Sequence, residues 1–162
     1  MIAVSDTGPI IGLAKANRLA LLKNLFEKVL IPPIVRKELF AKTGNEGEFI
    51  DNALTDFIQI SEIRPIDETA KLILEGLGEG ERQAIGIAAS MRNDAILLID
   101  DLAGRQAAEK LNIKITGLVG VLLLAKERGL IKSVSDIIEE IRSKGYWLSN
   151  SIVDIAKQVA GE

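Results

Sequence analysis

The residues of this chain best suited to chemistry are acids in unusual places. Asp6 directly follows the apolar run of "MIAVSD", and the adjacent Asp100 and Asp101 directly follow "AILLI". In parallel sheets, ligands bind beyond the carboxyl ends of the strands, so acids at two such ends can converge on one site. Aspartate is also a common helix cap, and each of these acids precedes a segment of helical pattern. The adjacent pair weakens capping as a full account, because one helix start takes one capping side chain.

Two glutamates extend the pattern. At about 100° per residue along "PPIVRKELF", Glu38 projects between Ile34 and Val35 and close to Leu39, while Arg36 and Lys37 take the other side. In "GEGERQAIGIAAS", Glu81 shares an arc with Ala84, Ile85 and Ala88, whereas Glu79 lies beside Gln83. An ionised carboxylate on a core-facing arc is costly unless it is paired, hydrogen-bonded or bound to metal. A salt bridge, or a place at the edge of the arc, accounts for either glutamate alone. A shared cation site explains all of these acids together. Gathered carboxylates raise one another's pKa unless a cation neutralises them. Oxygen-only ligands favour Mg2+ or Mn2+ over zinc or copper. Such a cation lowers the pKa of a bound water and polarises a phosphoryl oxygen, and the reaction class this suggests is phosphodiester hydrolysis.

The rest of the composition narrows the field. The chain has no histidine and no cysteine, which removes imidazole bases and ligands, thiolate metal sites, disulfides and cysteine nucleophiles. At 162 residues and 48% hydrophobic content it is expected to form one domain, 1–162, with a full core. A net charge of −3 argues against a generally basic nucleic-acid coat but allows a local basic rim. The start lacks the basic and long apolar regions of a signal peptide. "GLVGVLLLA" is too short to span a bilayer and runs into Lys126, Glu127 and Arg128. The expectation is a soluble cytoplasmic protein with no membrane partner.

To position these acids, short apolar runs alternate with helical segments, the pattern of an α/β fold with a parallel sheet covered on both sides. Strands are expected at 2–5, 28–31, 95–99 and 113–116, with "FIQI" at 57–60 a weaker fifth. Helices are expected at about 10–24, 33–42, 46–55, 66–75, 79–92, 102–111 and 117–128. "SVSDIIEEIRSKG" and "SIVDIAKQV" read as two more amphipathic helices, a C-terminal extension over 133–162 that closes the core or holds a partner or second copy.

Taken in order, "VSDTGPIIGLAK", "IPPIVRKEL", "GEGERQAIGIA", "LLIDDLAGRQAA" and "ITGLVGVLLLAKERGLI" resemble the PIN-domain nucleases. More narrowly, they resemble the branch with an "SDTGP"-like start that includes toxins of type II toxin-antitoxin pairs. The resemblance covers residues 2–131 and is specific as a set, although "DTGP" or "GEGE" alone is weak. It implies a PIN-like three-layer α/β/α fold, a central parallel sheet of four or five strands, and an acidic pocket for Mg2+ or Mn2+. It matches Asp6, Glu38, Glu81 and Asp100 to the family's acids, and implies that Ser5 or Thr7 orients Asp6 or a water. Many toxin-type members carry an acid where this chain has Leu102. Either Asp101 substitutes as a ligand or a second metal position is weak or absent. Arg105 stands where it could meet an RNA phosphate or simply be solvated. The resemblance further implies endoribonuclease activity leaving a 5'-phosphate and a 3'-hydroxyl, a small antitoxin partner and a homodimer.

Competing motifs fail on their spacing. Glu81 occupies the place of the third glycine in a G-x-G-x-x-G loop, and Gly8 occupies the second acid of a D-x-D phosphatase start. The remaining rivals are a non-catalytic member of the same fold that binds RNA or protein, and an RNA-processing nuclease without an antitoxin.

Overall fold

The apolar runs become a sheet because each is too short and too uniformly apolar to bury itself as a helix. The computed structural model describes residues 1–162. Its strands are β1 (Ile2–Ser5), β2 (Lys28–Ile31), β3 (Ile58–Ile60), β4 (Ala95–Leu98) and β5 (Ile115–Thr116). They form one five-stranded sheet in the order β3-β2-β1-β4-β5, and every neighbouring pair is parallel. Side chains alternate along the strands. Ala3, Val29, Ile31 and Leu98 join one buried cluster, while Val4, Leu30, Leu97 and Ile99 join another on the opposite face.

Helices cover both faces in the expected three layers. α1 (Thr7–Lys15), α2 (Ala20–Leu25), α3 (Pro33–Lys42), α4 (Gly47–Asp56), α8 (Leu118–Glu127), α9 (Val134–Ser143) and α10 (Asn150–Ala160) supply the larger cluster. The smaller one draws on α6 (Glu79–Met91) and α7 (Leu102–Lys110), with Ile73 and Leu74 at the end of α5 (Glu68–Ile73). α9 and α10 pack onto the larger cluster. Val134, Ile137, Ile138 and Ile141 of α9 and Val153 and Ala156 of α10 are buried in the larger cluster.

The sequence pattern errs where a local breaker overrides periodicity. The helix expected over 10–24 begins earlier, at Thr7, and divides into α1 and α2. Asn17 adopts a positive φ of 50°. Its amide donates to the Ala14 carbonyl at 3.0 Å and the Arg18 amide to the Leu13 carbonyl at 2.8 Å. These paired bonds tie off the helix end around a left-handed residue, for which asparagine is suited. The fifth strand is shorter than 113–116 because pairing with β4 begins at Ile115.

The order of the strands decides where a site can form. From β1 the chain passes to β2 on one side, whereas β4 lies on the other. The carboxyl ends of β1 and β4 therefore flank the crevice where the connection direction reverses, the place at which open α/β sheets bind ligands. No helix is long and apolar enough to cross a membrane.

Candidate active site

Asp6 directly follows β1 and Asp100 lies two residues past β4, after Ile99, and the sheet ladder brings these two strand ends side by side. The Asp6 amide donates to the Leu98 carbonyl at 3.0 Å, extending the pairing of β1 with β4 by one step. Asp6 occupies the cap position of α1 in an extended conformation, yet its side chain makes no capping hydrogen bond. Asp101 does make one: its carboxylate accepts the Gly104 amide at 2.9 Å. Asp100 is held by two other donors. The Leu118 amide, in the first turn of α8, donates to Oδ1 at 2.9 Å. The Tyr146 hydroxyl donates to Oδ2 at 2.9 Å. The adjacent aspartates thus divide the work, Asp101 capping α7 while Asp100 is fixed from α8 and the C-terminal segment.

The two glutamates arrive from neighbouring helices. Asp6, Glu38, Glu81, Asp100 and Asp101 all line one open cleft of about 570 Å³, together with Lys15, Lys42, Tyr146 and Trp147. Glu38 is oriented by the buried Thr7, whose hydroxyl donates to Oε2 at 2.5 Å. The Ser5 hydroxyl donates to the Asp6 backbone carbonyl at 2.8 Å. The hydroxyls beside Asp6 therefore serve Glu38 and the backbone, not the Asp6 carboxylate. Arg105 lies half-buried beside Asp100, with Nη1 donating to the Ile99 carbonyl at 2.9 Å.

The acids disturb one another's protonation. Burial pushes Asp6 up to about 6; Glu38 and Asp101 add to the rise, while the Thr7 amide and Lys42 pull the other way. Burial likewise pushes Glu81 up to about 7, followed by the charges of Asp101, Asp6 and Glu38. Asp100 is raised by burial, against the lowering effects of its bonds from Leu118 and Tyr146 and the charge of Arg105. Burial and the adjacent Asp100 carboxylate push the Tyr146 hydroxyl up, so it remains a proton donor. The cleft holds more negative charge than its lysines relieve. No three acids form a ready-made metal cage. The donor set nevertheless suits a hard divalent cation: all oxygen, open to solvent on one side, and crowded enough that positive charge is favoured.

Glycines supply the clearance. A Cβ on Gly80 would lie 2.9 Å from Glu38 Oε1, and one on Gly117 would collide with the Asp100 carboxylate and reach 3.1 Å from Arg105 Nη1. Both positions pass unnoticed in sequence, although each lies in a segment quoted above, "GEGE" and "ITGL". Tyr146 was also missed. It is the only tyrosine in the chain, lies beyond the stretch carrying the motif resemblance, and packs against Gly8 and Gly12 of α1.

The chain belongs to the PIN-domain family, whose model, described as DUF3368, PIN domain, matches residues 2–162. PIN domains are generally metal-dependent nucleases. Among solved structures, the chain is similar to a PilT N-terminus domain protein from the hyperthermophilic archaeon Sulfolobus solfataricus P2. The two share 17% sequence identity, the match covers 93% of this chain and 98% of that one, and the TM-score is 0.54. That likeness establishes the fold. No curated protein matches the chain.

Proposed function

We propose that this chain is a Mg2+- or Mn2+-dependent endoribonuclease whose metal is held by Asp6, Glu38, Glu81 and Asp100, with Asp101 completing the acidic wall. The carrying observation is that five carboxylates from four separated segments line one cleft at the switch point of a parallel sheet. A bound divalent cation supplies Lewis-acid polarisation of a phosphoryl oxygen and lowers the pKa of water, which a chain without histidine otherwise lacks.

The protein's part is to hold the donors still. Thr7 fixes the rotamer of Glu38, Leu118 and Tyr146 fix both oxygens of Asp100, and Gly104 fixes Asp101. Asp6 and Glu81 are the carboxyls raised into the range of neutral pH. Without a cation Glu81 keeps its proton part of the time near neutrality and Asp6 does so only in mildly acidic solution, and positive charge entering the cleft drives both toward the carboxylate. Lys42 stands exposed on the cleft wall, where it favours a phosphate backbone at the rim.

The biological reading is a toxin restrained by a small antitoxin, supported by the motif set from "VSDTGP" to "ITGLVG". A homodimer in the cytoplasm is part of the same proposal. The outward Ile155 and Val159 of α10, 60% and 66% exposed, offer apolar area to a second copy. A small open reading frame directly upstream supports the toxin role, and its absence favours RNA processing.

The direct test is cleavage of a mixed RNA pool with Mg2+ or Mn2+ by wild type, Asp6→Asn and Glu81→Gln, with and without chelator. Wild type is expected to cleave, and both variants and chelated protein to be inactive. Cleavage that survives substitution and chelation would sink the metal mechanism.

A further inference from the structure

A second groove opens from the acid cleft and is not needed to hold a metal. It encloses about 790 Å³, shares Asp100, Asp101, Tyr146 and Trp147 with the cleft, and continues past Arg105 to Leu102, Val119 and Ile152. Trp147 is 80% exposed and Leu102 68% exposed. An indole and a leucine left in water beside a charged cleft favour an occupant with a flat apolar face. Trp147 is also well placed. Its neighbour Tyr146 is hydrogen-bonded to Asp100 and packed on Gly8 and Gly12, so the indole stands at the boundary between cleft and groove. Arg105 commits only Nη1 within the chain, leaving guanidinium donors available to a negative group near Asp100.

We infer that this groove receives an unpaired nucleobase of a single-stranded nucleic acid, stacked on Trp147, with Arg105 toward the adjoining phosphate. The assignment rests on the nuclease reading of the cleft. Continuity with that cleft favours a nucleotide over a protein segment, because a strand with one phosphate at the carboxylates places its neighbouring nucleotide along the groove. Stacking on an aromatic face tolerates any base, so the site selects single strands over duplexes and not a particular sequence.

Trp147 is the only tryptophan, so its fluorescence reports this surface alone. The full-length protein is titrated with single-stranded RNA and DNA octamers and with an abasic octamer of equal charge, with Ca2+ supplied to neutralise the carboxylates. The base-bearing octamers are expected to quench the indole saturably and to bind about tenfold or more tighter than the abasic one. By anisotropy of a labelled octamer, Trp147→Ala loses about tenfold in affinity and Trp147→Phe keeps most of it. Circular dichroism confirms that both variants fold. Equal binding of abasic and base-bearing octamers, or unchanged affinity in Trp147→Ala, overturns the inference. A change in sedimenting mass in Trp147→Ala with unchanged octamer affinity makes the groove a protein contact instead. If Asp6→Asn abolishes RNA cleavage while Trp147→Ala keeps the wild-type KM, the nuclease stands and the stacking site falls. If no octamer binds and no RNA is cleaved, both fall.

Discussion

Glu162 and Glu81 carry the same side chain close to a helix N-terminus, and their surroundings treat it oppositely. Glu162 accepts from Lys126 Nζ at 2.7 Å, the Ser133 hydroxyl at 2.9 Å, and the Val134 and Ser135 amides at 2.8 and 2.9 Å. Those donors, Lys126 first, hold its carboxyl well below the usual glutamate range. Glu81 faces Asp101, Asp6 and Glu38 and is pushed up to about 7. Lys15 with Glu46 repeats the first arrangement, as an ion pair at 3.3 Å. Glu162 and Glu46 each have a lysine among their donors, whereas Glu81 faces other carboxylates with no cation beside it. The difference separates an acid that secures the fold from one that awaits a cation.

Substitution in the two regions should separate activity from stability. Asp6→Asn is expected to cost cleavage on the order of a hundredfold or more, since several kcal/mol of charge stabilisation are lost. The same change should raise the melting temperature of metal-free protein by calorimetry, because it removes a poorly accommodated charge. A lower melting temperature in Asp6→Asn would break the contrast with Glu162. Gly117→Ala places a methyl group on the Asp100 carboxylate. Displacing that group by about 1 Å should reduce cleavage about a hundredfold, read as a fall in kcat with circular dichroism preserved.

Tyr146→Phe keeps the ring against α1 and removes only the hydroxyl on Asp100. Loss of such an outer hydrogen bond should weaken Mn2+ binding about tenfold by isothermal titration. Unchanged affinity would make Tyr146 a packing residue alone.

The pH dependence sharpens the comparison further. Burial pushes Asp6 up to about 6 and Glu81 up to about 7, from ordinary values of 3.8 and 4.5. Between about pH 4 and pH 7 the folded state therefore binds more protons than the unfolded one, and stability of metal-free protein falls as pH rises. For Asp6 this amounts to about 2–3 kcal/mol at most. Urea titrations at pH 5 and pH 8 should show the loss, and added Mg2+ should reverse it. Glu162 has the opposite sign. Its lowered folded pKa contributes stability above the ordinary glutamate range that is lost as pH falls. Glu162→Gln should consequently lower the melting temperature modestly at neutral pH and leave cleavage unchanged.

Much of the fold was legible because its signals are local. "IAVS", "KVLI" and "AILL" declare strands by uniform apolarity, and the arcs of α3 and α6 place Glu38 and Glu81 beside buried neighbours. The break at Asn17 was less legible, since the apolar period continues across it and only the left-handed residue interrupts the helix. The distinct roles of Asp100 and Asp101 could not be told apart from adjacency alone.

The sequence by itself determined which chemistry was available: acids at strand ends and on apolar arcs, with no histidine or cysteine beside them. These follow from residue type and helical or strand period, which are properties of short segments. Tertiary structure alone decided that Thr7 serves Glu38, that Tyr146 crosses from the C-terminal segment to Asp100, and that Gly117 leaves the carboxylate its space. Each is a contact between residues far apart in the chain or a clearance set by packed backbones. Such contacts carry no periodic signature, because they exist only once the sheet order has brought β1, β4 and the last helices to one crevice.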